Sequence, residues 1–298
     1  MLSALALLTI DIGIDPEIAD FGGLLLTWHG VFTAIGIAAG VGVGLVIGRR
    51  LGFIDDDIYS AALIAIPCGI VGARALFVFE RWGTEGVDNV ADIFRINEGG
   101  ISIYGAVLGG FAGGLVYGWF RKLPLRRALD VAAIGLILGM GIGRIGDIIN
   151  GEHFAELTDL PWAFRYTHID SPSRLHPECV TFFGINTENC TQHPAVAYEM
   201  IGDFLIFGLL LGLLRFGRGG VAFFSMLFLY SAMRFGVSEL RIDSRVVFAG
   251  LTVPQVTSLF LILPSFLGLL YCWRQKESAP PEPAPATLAA ATGPPASL

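Results

Sequence analysis

The sequence predicts an all-α fold, a polytopic membrane bundle of about seven transmembrane helices with an extracytoplasmic cap loop. Three observations carry that expectation. Of 298 residues, 54% are hydrophobic and only 15% charged, where soluble domains carry about 25% charged residues. The mean hydropathy is +0.67. Glycine is abundant, 39 residues, without a collagen-like period, as suits helices packed closely in lipid. This composition excludes a disordered chain. A net charge of −7 with no basic block speaks against nucleic acid as a partner.

A crossing needs about 20 mostly apolar residues. Seven stretches supply it: Gly22–Gly48, Ile58–Phe79, Gly99–Phe120, Ala128–Ile149, Pro194–Leu214, Gly219–Ser238 and Thr252–Trp273. The first carries a glycine every fourth residue from Gly36 through Gly40 and Gly44 to Gly48. The third repeats this with Gly105, Gly109 and Gly113, and the fourth with Gly135, Gly139 and Gly143. Residues four apart share a helix face, so these stripes read as close packing surfaces. A gating hinge is the alternative. The run Leu2–Ile10 is too short to span and lacks the basic start of a signal peptide, so it reads as an interfacial segment kept in the mature chain.

Ten Lys and Arg residues crowd short connections on one side, around Arg49, Arg121, Arg215 and Arg274; six are spread over the longer loops of the other. By the positive-inside rule the first side is cytoplasmic, with the N-terminus outside and the C-terminus inside. Residues 1–277 then form the seven-span membrane domain. Its outer loop, residues 151–192, reads as a cap. Residues 278–298 read as a disordered Pro- and Ala-rich cytoplasmic tail. Cys179 and Cys190 of the cap could pair in an oxidising compartment or stay reduced; the sequence leaves both open. Cys68 and Cys272 read as small apolar fillers.

Ionisable groups inside spans are costly and are functional candidates by default. With the orientation set, His29, Arg74, Tyr104, Arg144, Asp147, Asn150, Glu152, His193, Glu199, Asp203, Arg234, Glu239 and Arg241 all fall toward the outer ends, while the inner halves are almost purely apolar. That one-sided distribution predicts a single cavity in the outer leaflet for a molecule with an anionic head and apolar tails. Guanidinium groups bind phosphate oxygens bidentately. The competing reading makes Arg74, Arg144 and Arg234 structural partners of Asp147, Glu199 or Asp203. No pair of histidines has helical ligand spacing, so neither a metal nor a cofactor is expected.

The stretch GRIGDIINGE, residues 143–152, resembles the GR-x-G-N-F-x-N-G-E signature of the prolipoprotein diacylglyceryl transferase family. Other segments agree in order: TWHG at 27–30, GARALFVF at 72–79, GGISIYGAVLGG at 99–110, HPAVAYE at 193–199 and MRFGVSELR at 233–241. The chain departs from the pattern at Tyr104, where the family has His, and at Asp147, Ile148 and Ala155, where it has Asn, Phe and Gly. His29 stands where the family has Tyr, which suggests a His/Tyr exchange between two spans.

The resemblance implies an enzyme of the bacterial inner membrane, active on the extracytoplasmic side. It would move a diacylglyceryl group from phosphatidylglycerol to the lipobox cysteine of a preprolipoprotein. In that chemistry His29 is the best base by its ordinary pKa of about 6.5, and Tyr104 orients substrate or, if shifted, acts as base. Arg144 and Arg234 neutralise the phosphate. Arg74, Asp147, Asn150, Glu152, His193 and Glu239 are substrate-binding candidates. With no cysteine in the expected pocket, direct displacement by the substrate thiolate is favoured. The alternatives are a lipid-binding paralogue without catalysis and an anionic-lipid transporter, the latter weakened by the apolar inner halves.

Overall fold

The computed structural model describes residues 9–22, 25–83, 93, 100, 102–181, 184–185 and 190–275. Most of the run 2–10, Arg95 and the tail 278–298 lie outside them. Seven helices are each long and apolar enough to cross a membrane. They are α1 (Trp28–Arg50), α2 (Asp55–Arg81), α3 (Ile103–Phe120), α4 (Leu125–Asn150), α5 (Ala195–Leu213), α6 (Val221–Ser238) and α7 (Val253–Arg274).

The first helix corrects the expected start at Gly22. Strand β2 (Glu17–Asp20) pairs antiparallel with β3 (Leu25–Thr27), so these backbone groups are satisfied in a hairpin. The helix begins only where Thr27 caps it, its hydroxyl accepting from the Gly30 amide at 3.2 Å. A hydropathy window cannot separate an apolar strand from the apolar helix that follows it.

The glycine stripes are packing surfaces. A Cβ on Gly40 would stand 2.6 Å from the Gly135 carbonyl oxygen, and one on Gly36 would stand 2.5 Å from that of Gly139. Only paired glycines let α1 and α4 approach so closely. On α2 and α3, Gly72 faces Gly105 and Gly109 in the same way. Helix α4 is the central post. Its Ile134 and Ile137 are fully buried with Leu210 of α5 and with Ala222 and Met226 of α6. At the far end Asp130 caps α6 by accepting from the Gly220 and Phe223 amides at 2.7 and 2.8 Å.

The segment between α4 and α5 folds back over the other end of the bundle. Strand β1 (Ile10–Ile12) pairs parallel with β4 (Phe164–Tyr166), and Asp11 grips Arg165 through both carboxylate oxygens at 2.7 Å. Cys179 and Cys190 form a disulfide. Behind it, His176 is fully buried with its Nε2 2.8 Å from the Ala155 carbonyl oxygen. Ala155 in turn bridges Arg241, and the Glu156 amide donates to the Leu240 carbonyl at 2.9 Å. The start of the cap is thereby stitched to the residues that leave α6. Cys68 and Cys272 are free thiols, Cys272 buried against Gly220.

Candidate active site

Helix starts and helix ends meet beneath the cap. His29 is the second residue of α1, Tyr104 the second of α3, Asn150 the last of α4, and Arg234 lies four residues before the end of α6. The approach of α1 to α4 depends on Gly146. A Cβ there would be 2.6 Å from the His29 Cα, so any larger residue would push His29 off the end of α4. With glycine in place, the His29 amide donates to Asn150 Oδ1 at 3.2 Å, and its Nδ1 lies 2.5 Å from Asp147 Oδ1. The Asn150 amide group donates to Glu152 Oε1 at 2.9 Å.

The other oxygen of Asp147 accepts from Arg144 Nη1 at 3.0 Å. Arg144 Nη2 is ion-paired at 2.6 Å with Glu199 of α5. Glu199 has no exposed surface. It also pairs with Arg234 of α6 and lies 3.5 Å from Arg241 Nη1. Arg241 donates to Asp243 at 2.6 and 3.0 Å. His153 closes the circuit, with Nδ1 3.2 Å from Asp243 Oδ2 and Nε2 3.8 Å from Asp147 Oδ2. Arg144 and Arg241 therefore alternate with three carboxylates around the circuit, and Arg234 branches from Glu199, so each buried charge of the circuit has an opposite partner. Tyr104 lies within electrostatic reach of Arg234.

Access distinguishes these groups. Glu199 is sealed, but the Arg144 and Arg234 side chains each keep 16% of their surface open and the His29 side chain 48%. The site therefore offers two guanidiniums, and an imidazole with its Nε2 left over, to an incoming molecule. At the rim, burial disfavours a charged His153, but the carboxylates of Asp147 and Asp243 outweigh it and hold its pKa above the ordinary value. Burial likewise opposes a charged Asp243, yet His153 and Arg241 hold its carboxyl well below the usual range.

The structure brings together His29, Arg144, Asp147, Asn150, Glu152, Arg234 and, at its edge, Tyr104. It gives other surroundings to three more candidates. Arg74 donates to the carbonyls of Ile93 and Gly100 at 3.0 and 2.7 Å and lies over the Phe77 ring, which ties the α2–α3 connection to α2. Glu239 accepts from Gln255 at 2.5 Å, and Gln255 in turn closes the capping box of α7. His193 packs edge-on against Tyr198, its Nδ1 buried without a partner among the described residues. Sequence reasoning did not single out His153, Arg241 and Asp243 as site residues. Only the stitch between 154–156 and 240–242 carries them in, and Arg241 alone has a sequence signal, its place in the MRFGVSELR segment. One turn below Glu199 lies Asp203, fully buried, with neither carboxyl oxygen hydrogen-bonded among the described residues.

A family model described as prolipoprotein diacylglyceryl transferase matches residues 16–271. The chain belongs to the prolipoprotein diacylglyceryl transferase family. Among its relatives is a phosphatidylglycerol–prolipoprotein diacylglyceryl transferase of Clostridioides difficile, 30% identical over 258 residues, covering 86% of this chain and 94% of that protein. One of the same name from Acaryochloris marina is 32% identical, covering 89% of this chain and 93% of the relative. A third, from Corynebacterium efficiens, is 34% identical, covering 86% and 82%. This chain is accordingly a transferase of that family, and nothing in the relatives favours a paralogue without catalysis. The GRIGDIINGE stretch ends α4 and supplies Arg144 and Asp147 to the charge circuit.

Proposed function

We propose that this membrane transferase moves a diacylglyceryl group from phosphatidylglycerol to the lipobox cysteine of a preprolipoprotein, on the extracytoplasmic side of the bacterial inner membrane. The observation that carries the reading is the convergence of Arg144 and Arg234, from two helices, on Glu199 beside the His29–Asp147 pair. Their partly open guanidiniums suit a lipid phosphate, which accepts bidentate hydrogen bonds. Exposed Glu152, with Asn150 buried behind it and donating to it, suits the hydroxyls of the glycerol head.

The chemistry follows from these roles. A cysteine thiol, with a pKa of about 8.5, attacks only as thiolate. His29 has Nδ1 committed to Asp147, so its Nε2 takes the thiol proton. The sulfur then attacks the terminal glyceryl carbon, the new C–S bond forms as the C–O bond to phosphate breaks, and glycerol phosphate leaves. Arg144 and Arg234 stabilise the charge that builds on the departing phosphate, with the Tyr104 hydroxyl steadying it from α3. The apolar tails extend down the bundle, where the helices carry few polar groups.

The test is purified protein in vesicles with phosphatidylglycerol and a lipobox peptide, following glycerol phosphate release and the mass of the thioether. Wild type should turn over. Arg144→Ala and His29→Ala should lose most of the rate, and Tyr104→Phe should lose part of it. A folded wild type that releases no glycerol phosphate overturns the reading. Activity intact in both His29→Ala and Tyr104→Phe refutes the proposed His/Tyr exchange. Orientation is tested separately by labelling engineered cysteines in residues 151–192 with a membrane-impermeant reagent on intact cells.

A further inference from the structure

We propose that His153 is a positioning residue for the transfer reaction, a bridge that holds Asp147, and through it His29 and Arg144, against the Arg241–Asp243 segment. The proposal rests on the reading of the site given above and assigns a role to a residue outside the family signature that ends at Glu152.

Asp147 has two jobs that pull on different oxygens. Its Oδ1 orients His29 at 2.5 Å and its Oδ2 holds Arg144 at 3.0 Å. It sits in the last turn of α4, three residues before the helix ends at Asn150, where backbone support is weakest. This chain carries a carboxylate there in place of the signature's neutral Asn, so its geometry depends on what else faces it. His153 supplies that face. Its Nε2 lies 3.8 Å from Asp147 Oδ2, an ion-pair distance longer than a hydrogen bond. Its Nδ1 lies 2.8 Å from Arg241 Nη2 and 3.2 Å from Asp243 Oδ2.

The bridge holds in both protonation states. Neutral His153 accepts from Arg241 at Nδ1 and directs its Nε2–H toward Asp147; protonated, it turns the Nδ1–H to Asp243 and keeps the Nε2–H on Asp147. The side chain is only 25% exposed, so water competes poorly for these contacts. Its contacts are with Asp147, Arg241 and Asp243 and not with Arg144 or Arg234, which makes it a residue that acts through another. A shift of about 1 Å in a reacting group costs on the order of 100-fold in rate. Loosening Asp147 would misalign His29, while Glu199 still holds Arg144 beside Arg234 at the phosphate site.

That difference sets the experiment, run in vesicles with phosphatidylglycerol and a lipobox peptide. His153→Ala should lower kcat by roughly 10- to 100-fold while KM for phosphatidylglycerol stays within about threefold. His153→Gln, whose amide places a donor and an acceptor at the spacing of the two ring nitrogens, should bring kcat back to within about fivefold of wild type. Asp243→Asn, which leaves His153 in place but loosens its far end, gives the same pattern more mildly and serves if His153→Ala does not fold. The proposal is overturned if a folded His153→Ala keeps kcat within about twofold, or if His153→Gln and His153→Ala fall equally. It is also overturned if the loss appears in KM and thermal stability alone. An inactive wild type fails the transferase reading itself, whereas an active wild type with an unaffected His153→Ala fails only the bridge.

Discussion

Glu199 is the carboxylate on which three arginines converge, and replacing it by Gln isolates that role with almost no change of shape. It is fully buried and pairs with Arg144 at 2.6 Å, with Arg234, and more loosely with Arg241 at 3.5 Å. The substitution leaves three guanidiniums with Asp147 and Asp243 as their ion-pair partners among the described residues. Breaking a buried ion pair from one side costs about 3–5 kcal/mol, because the abandoned charge stays out of water. At roughly 2–4 °C per kcal/mol for domains of 150–250 residues, that is a fall in apparent Tm of about 10 °C. The assay is thermal unfolding in detergent followed by tryptophan fluorescence, paired with glycerol phosphate release. Glu199→Gln should melt about 10 °C lower and lose most activity, since the two guanidiniums repel once their common carboxylate is gone. Phosphatidylglycerol, which re-supplies the missing anion, should recover more Tm in this variant than in wild type. A variant that melts within about 2 °C of wild type and keeps its kcat would refute the view that Glu199 organises the arginines.

Gly40→Val should force α1 from α4, because a Cβ would stand 2.6 Å from the Gly135 oxygen. Overpacking of this kind costs about 1–3 kcal/mol, read as lower Tm and yield, while Gly42→Ala, with nothing within 4 Å of its Cβ, should be neutral. His153, faced by Asp147, His29, Arg241 and Asp243, has its folded pKa raised. Its charged form therefore stabilises fully below about pH 6.5, and that contribution fades as pH climbs through the folded pKa. The Tm difference between wild type and His153→Gln should accordingly shrink from pH 6 toward pH 9, by about 1 °C or more if His153 is charged as described. Asp243, whose pKa is depressed, should act oppositely: its contribution is full above about pH 4 and fades as pH falls further, so Asp243→Asn should begin to approach wild type only below that point. Cys179→Ser opens a loop with a sequence separation of 11, worth about 3 kcal/mol. It should lower the Tm of oxidised protein to that of wild type treated with reductant.

Seven spans, their polar ends and the outline of the site were legible in the sequence, because hydropathy over about 20 residues is a local property that lipid enforces directly. So was the stacking of Gly36 and Gly40 into a packing face, though not that its partners are Gly139 and Gly135. The start of α1 was misjudged by six residues, from Gly22 to Trp28, since pairing of β2 with β3 is decided by contacts between segments and not by composition. The same limit hid His153, Arg241 and Asp243, polar residues near a span end that look like ordinary loop charges until residues 154–156 pair with 240–242. It also left open whether Arg144 and Arg234 were free or paired; in space they are both, held by Glu199 yet partly open. Composition tells which groups cannot face hydrocarbon. Which carboxylate meets which guanidinium depends on the approach of separate helices to within a few ångströms, and glycines such as Gly146 set that only once the chain has folded.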